Sequence, residues 1–108
     1  MSTETYQGGR TWALLEAAAG GSDHVLVPAA ARHISVTVQP GGGGSAELAV
    51  TTSPAPDVEN GSAEWTDVNI GGRTSHEAAT GTELSPAVTA IRLSATTAAA
   101  TARIAILV

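Results

Sequence analysis

Short segments of alternating apolar and polar residues, each ended by glycine or proline, constrain the fold of this chain most strongly. The clearest is 33–39, in which Ile34, Val36 and Val38 are separated by polar residues. A period of two places alternate side chains on opposite faces of a strand. The pattern therefore predicts strands with one buried face, which are typical of antiparallel sheets.

Similar segments recur at the spacing expected of a sandwich or barrel. The stretch 12–19 favours a strand over a helix, because two glycines end it after about two helical turns. The predicted strands fall within 12–19, 25–27, 33–39, 46–52, 64–70, 73–79, 88–95 and 102–108. We predict loops at 53–62 and 80–86, and the glycine turn 41–44 predicts a hairpin between 33–39 and 46–52.

These segments predict a single all-β domain, an antiparallel β-sandwich of jelly-roll or Greek-key type with about eight short strands. Leu, Ile and Val total only 21 of 108 residues and Phe is absent, so the core is expected to be small. We expect Trp12 in the core and Trp65 at an interface. The other predicted core residues are Val36, Leu48, Ile91, Leu93 and Ile106.

The two ends of the chain suggest assembly. Residues 1–10 are polar and predict an arm that is free or ordered against a neighbour, and 11–108 form the predicted sandwich. The last predicted strand is apolar to its final residue, and an apolar strand at a sheet edge is usually covered. We therefore expect a homo-oligomer, with a trimer favoured. The predicted interface residues are Tyr6, Arg10, Trp65, Leu107 and Val108.

Charge and composition argue against several partners. The net charge is −5, Lys is absent, and the five Arg residues are scattered, so no basic stripe for nucleic acid is present. No apolar run is long enough for a membrane helix, and residues 1–10 do not form a secretory signal. Without cysteine, neither a disulfide nor a thiolate metal site can form.

No residue pattern predicts catalysis, a cofactor or a metal. His24, His33 and His76 match no ligand spacing, and we expect them on the surface or in turns. The adjacent residues 22–24 (Ser-Asp-His) would point to opposite faces of a strand, which disfavours a hydrolase triad. The glycine run 41–44 lacks the Lys of a phosphate loop. An acidic cluster leaves calcium binding as a less favoured alternative. Its members are Asp57, Glu59, Glu64 and Asp67.

The second half of the chain resembles small β-sandwich virion proteins of tailed bacteriophages. The similarity lies in a Gly/Ser-then-Trp strand at 61–68, a Pro-Val-Thr-Ala-x-Arg-Leu strand at 86–93, and a Thr/Ala-rich hairpin at 95–102. The resemblance implies a capsid decoration protein that binds the major capsid protein or other virion proteins. It implies assembly in the bacterial cytoplasm and residence in the virion, with no enzymatic activity.

Two alternatives stay open. One is a tail or head–tail component. The other is a virion-displayed module that binds carbohydrate or a host surface through Trp65 and the acidic residues between 57 and 67.

Overall fold

The structure, a computed structural model, describes residues 3–7 and 10–108. This part of the chain is almost entirely β, which confirms the predicted fold class. The strands are β1 (Thr3–Gln7), β2 (Arg10–Ala17), β3 (Ser22–Leu26), β4 (His33–Gln39), β5 (Ala46–Thr51), β6 (Thr66–Asp67), β7 (Ser75–His76), β8 (Thr80–Leu84), β9 (Ala90–Ala95) and β10 (Ala100–Leu107). One short helix, α1 (Ala55–Asn60), lies between β5 and β6.

Two antiparallel sheets form the sandwich. The first sheet has the order β1-β2-β10-β4-β8, and the second has the order β3-β9-β5-β6, with β7 also paired to β5. The pairs are nested along the chain: β2 with β10, β3 with β9, β4 with β8, and β5 with β6. This winding is that of a jelly roll. Strand β1 adds an edge to the first sheet.

The inward faces of the two sheets form one aliphatic core. In β4, Ile34, Val36 and Val38 are buried and the residues between them are exposed, as the alternation predicts. Burying each such side chain stabilises the fold by about 1.5–3 kcal/mol. All five of the predicted aliphatic core residues are buried and therefore confirmed: Val36, Leu48, Ile91, Leu93 and Ile106.

The predicted hairpin between β4 and β5 is wrong, because these strands belong to different sheets. Both edges of β4 are occupied: Val38 is in register with Ala102 on β10 and with Thr80 on β8. The glycine turn 41–44 instead carries the chain from one sheet to the other. A turn signal is local and does not specify which strand will occupy an edge.

Four predicted segments between β5 and β9 also differ. The predicted loop at 53–62 contains α1, which follows Pro54 and ends at Gly61 with φ 83°. Pro has a φ suited to the start of a helix, and Gly is favoured at its end. The predicted strands at 64–70 and 73–79 reduce to β6 and β7, of two residues each. The predicted loop at 80–86 contains β8, which covers the edge of β4.

The last strand lies inside its sheet and not at an edge. Strand β10 pairs with β2 on one side and with β4 on the other. Arg32 holds the end of β10 through two hydrogen bonds. The Arg32 backbone N–H donates to the Leu107 carbonyl oxygen at 2.7 Å, and the Arg32 Nη2 donates to the Val108 carbonyl oxygen at 3.2 Å. The expectation of an apolar strand at an open edge is therefore wrong.

Half of the predicted arm forms a strand on this same chain. Residues 3–7 form β1 and pair antiparallel with β2, with Tyr6 in register with Thr11. Residues 1, 2, 8 and 9 of the predicted arm lie outside the described residues. No helix in the described ranges has the length and apolar character needed to cross a membrane.

Candidate binding surfaces

The space between the two sheets is filled by aliphatic side chains. The largest fully buried side chains are Leu15, Ile34, Leu48, Ile91, Leu93, Ile104, Ile106, Val36 and Val38. Candidate binding sites therefore lie on the outer faces of the sheets and at the loops. In residues 3–7 and 10–108, no group of three or more His, Cys, Asp or Glu side chains is placed to hold a metal ion.

The three histidines occupy different environments. His24 and His33 are exposed, as the sequence predicts. His76 is only 6% exposed, and its Nε2 has no hydrogen-bond partner among the described residues, so the prediction of a surface or turn position is wrong for this residue. It points inward because it is in register with Ala46, a core residue of β5.

Asp23 serves the backbone. Its Oδ2 accepts a hydrogen bond from the Glu16 N–H and its Oδ1 from the His24 N–H, both at 3.0 Å. Burial alone would raise the pKa of Asp23, but these hydrogen bonds favour the charged form, and the pKa lies below its ordinary value. Ser22, Asp23 and His24 begin β3, which is an edge strand, and the Asp23 carboxylate already accepts two backbone hydrogen bonds.

One polar hollow lies at the loop end of the sandwich and has a volume of about 370 Å³. Its lining is Gly43, Gly44, Ser45, Glu77, Thr96 and Thr97. The threonine hydroxyls hold the loops together: Thr97 Oγ1 donates to the Gly43 carbonyl oxygen at 3.2 Å. The predicted carboxylate cluster between 57 and 67 does not contribute to this hollow.

The outer face of the first sheet carries an exposed tryptophan. Trp12 is 36% exposed, with the Arg10 guanidinium carbon 5.8 Å from its ring centroid. The strand register places three pairs side by side on this face: Arg10 with Leu107, Trp12 with Ala105, and Leu14 with Arg103. With His33 and Ser35 of β4, these residues form what we call the Trp12 face. Part of it is a shallow hollow of about 270 Å³ around Trp12 and Leu107.

The charges on this side of the first sheet balance. The outward charged residues of β2, β10, β4 and β8 are Arg10, Arg103, Glu16 and Glu83. The net charge of −5 therefore lies on the rest of the molecule. The Trp12 face itself combines apolar side chains with Arg10 and Arg103 and includes no carboxylate, on a chain whose net charge is −5.

A second aromatic cluster lies on the outer face of the second sheet. The Arg92 guanidinium carbon lies 4.6 Å from the centroid of the Trp65 ring. The His24 ring is 6.4 Å from the Trp65 ring and tilted by 59°. His24 and Arg92 are direct neighbours across β3 and β9.

The predicted interface residues are split between the two faces. Arg10 and Leu107 meet on the Trp12 face, and half-buried Val108 follows Leu107 at the end that Arg32 holds. Trp65 lies in the loop before β6 and contacts Arg92 of the second sheet. The side chain of Tyr6 lies outside the described part of the chain.

Trp12 is the surface residue that the sequence interpretation missed, since it was expected in the core. The position of Trp12 in the alternating pattern of β2 indicates that its side chain faces outward. It shares a face with Arg10 and Glu16, whereas the opposite face consists of buried Ala13, Leu15 and Ala17. Charged residues at both ends of an alternating segment indicate the outward face.

The solved structures most similar in fold include oxalate oxidases. An oxalate oxidase in complex with glycolate matches with a TM-score of 0.58 and 13% identity, over 99% of this chain and 50% of that one. Another oxalate oxidase structure matches with a TM-score of 0.53 and 13% identity, over 92% of this chain and 42% of that one. A cupin 2 conserved barrel domain protein from Salinispora arenicola matches with a TM-score of 0.53 and 13% identity, over 99% of this chain and 74% of that one.

The similarity is one of fold. The chain is folded like the barrel of cupin proteins. It spans about half the length of the oxalate oxidases that it matches. No protein-family model and no curated protein sequence matches it. At such low identity the activity of the matched enzymes does not transfer, and the virion resemblance stays a prediction.

Proposed function

We propose that this chain is a non-enzymatic structural module that docks on a larger particle through its Trp12 face. As the sequence resemblance implies, the particle is a tailed-phage virion, the partner is the major capsid protein, and the chain acts as a decoration protein. The observation that supports this proposal is Trp12 itself, a tryptophan 36% exposed on a regular sheet face beside Arg10 and Leu107.

The composition of the Trp12 face suits a protein interface. Trp and Arg are enriched at the centres of interfaces, where removing one such side chain often costs more than about 1–2 kcal/mol. Leu14, Ala105 and Leu107 extend the apolar area around Trp12.

Electrostatics favours the same face. Because the remaining surface carries the net negative charge, a second acidic molecule meets the least repulsion here. The packed aliphatic interior supports a structural role over catalysis, since small-molecule sites are usually concave.

Binding to particles that lack this protein tests the proposal. We expect Trp12→Ala to weaken binding about tenfold or more, which corresponds to about 1.4 kcal/mol. Arg73→Ala is the control, because Arg73 is also a large exposed side chain but lies in the turn between β6 and β7, outside the Trp12 face. The proposal fails if the wild-type protein binds no particle, or if Trp12→Ala binds as the wild type does.

The number of chains per assembly, measured for the protein in solution and for the protein on the particle, tests the predicted trimer. A mass of three chains supports it, and a monomer both free and on the particle contradicts it. This result is independent of the Trp12 measurement.

A further inference from the structure

Arg92 lies on the outer face of the second sheet, which is exposed towards β3 and covered towards β5, where Ala49 is buried. It lies on β9 between His24 of β3 and Ala49 of β5, and its guanidinium stacks on Trp65 at 4.6 Å. The ring contact fixes the plane of the guanidinium, so the Arg92 side chain loses little conformational entropy when a ligand binds. His24 and Leu26 are exposed on the same side of β3, and they border the cluster.

The hydrogen-bonding capacity of Arg92 is unused within the described residues. Its Nε is buried and has no partner. The two Nη atoms are not among the buried atoms that lack a partner, and no hydrogen bond joins them to a described residue. Two carboxylates are near in register, Glu47 diagonally on β5 and Asp67 beyond Ala49, but neither forms an ion pair with Arg92.

A half-buried guanidinium with no partner in residues 3–7 and 10–108 is complementary to an external carboxylate. Burial of a charge is unfavourable without a partner, and a carboxylate matches the planar donors of Arg with two parallel hydrogen bonds. His24, next to Arg92, offers a further ring N–H.

We propose that Arg92, oriented by Trp65 and flanked by His24, receives the carboxylate of an Asp or Glu side chain on a protein partner. A protein is favoured over a small ligand because the cluster lies on the outer face of a sheet and exposed His24 and Leu26 border it on the β3 side. Small ligands generally bind in concave sites, whereas Trp and Arg on flatter surfaces are typical of protein interfaces. This site is on the sheet opposite the Trp12 face, and it stands whether or not the proposed function is correct.

Titration by NMR with N-acetylglutamate amide tests the site. We expect saturable shifts of the Arg92 Nε–H and Trp65 indole N–H signals. The isosteric N-acetylglutamine amide, which lacks the charge, should shift neither. Arg92→Gln should weaken binding about tenfold or more, whereas Arg103→Gln, an exposed Arg on the first sheet, should bind as the wild type does.

A second variant keeps the test sharp if Arg92→Gln does not fold. Arg92→Lys retains the charge but not the planar pair of donors, and we expect it to bind several-fold more weakly. Trp12→Ala should leave the titration unchanged, which separates this proposal from the docking of the Trp12 face.

Three results would overturn the proposal. One is the absence of any saturable shift in the folded wild-type protein. Another is equal binding of the wild type and both Arg92 variants. The third is tenfold tighter binding of D-glucuronate than of N-acetylglutamate amide, which would identify an acidic sugar as the ligand instead.

Discussion

Ser45 and Thr96 fasten two loops to each other at one end of the sandwich. The Ser45 N–H donates to Thr96 Oγ1 at 2.9 Å, and the Thr96 N–H donates to the Ser45 carbonyl oxygen at 3.1 Å. Ser45 precedes β5 and Thr96 follows β9, so the pair closes the ends of two neighbouring strands. The glycine turn 41–44, which connects β4 of one sheet to β5 of the other, ends directly before Ser45.

Thr96→Val should lower the free energy of unfolding by about 1 kcal/mol, because it removes the hydroxyl that accepts the Ser45 N–H and keeps the side-chain shape. Chemical denaturation measures the change. Thr101→Val, at an exposed position of β10, is the control and should be nearly neutral. Equal effects of the two substitutions would show that the loop contact adds nothing.

Gly41→Ala should destabilise the protein by about 1–3 kcal/mol, since the new Cβ would overlap the Ala99 carbonyl oxygen and press on Ala98. Gly42→Ala is the matched control. A Cβ at Gly42 meets no atom within 4 Å, so we expect stability to stay unchanged or to rise by about 0.4–1 kcal/mol. Thermal melting of both variants checks this, and a neutral Gly41→Ala would contradict the close approach of these loops.

Leu93→Ala should cost about 2–5 kcal/mol, because Leu93 is fully buried between the sheets. Leu26→Ala removes the same atoms from a side chain 37% exposed and should cost far less. Denaturant unfolding of the two variants gives the comparison. A loss of less than about 0.5 kcal/mol for Leu93→Ala would place it outside the core.

Asp23 should make stability depend on pH in the acidic range. Its pKa in the folded protein lies below the ordinary value of 3.8, so its contribution is present above that value and is lost as the pH falls through the folded pKa. Asp23→Asn should therefore flatten the fall in stability below about pH 4. Asp67→Asn, an exposed control on β6, should retain the wild-type profile. Identical acid profiles for Asp23→Asn and the wild type would contradict this prediction.

His76→Leu should preserve or raise the melting temperature. The buried Nε2 has no partner in the described ranges 3–7 and 10–108, and an apolar side chain of similar size avoids burying an unpaired polar atom. His76→Ala leaves a cavity and should cost about 1 kcal/mol or more. A large loss with His76→Leu would mean that Nε2 is hydrogen-bonded in solution.

The candidate surfaces were only partly predictable. Arg10 and Leu107 were predicted at an interface and share the Trp12 face, since polarity and position along the strand are readable locally. The contact between Trp65 and Arg92 was not predictable, because it joins residues 27 positions apart, one in the loop before β6 and one on β9. The expectation of Trp12 in the core is wrong, because Trp12 lies on the same outward side of β2 as Arg10 and Glu16.

The sequence by itself determined that this chain is β and which side of most long strands is buried. Alternation along β4 suffices for Ile34 and Val38, because the side-chain period of a strand is a local property. Only the tertiary structure decided which strands are partners. Val38 pairs with Ala102 and Thr80 although Ala46 is far nearer along the chain. Burying both apolar faces at once favours nested pairs of distant strands over the nearest hairpin, and that gain arises only when the whole sandwich closes.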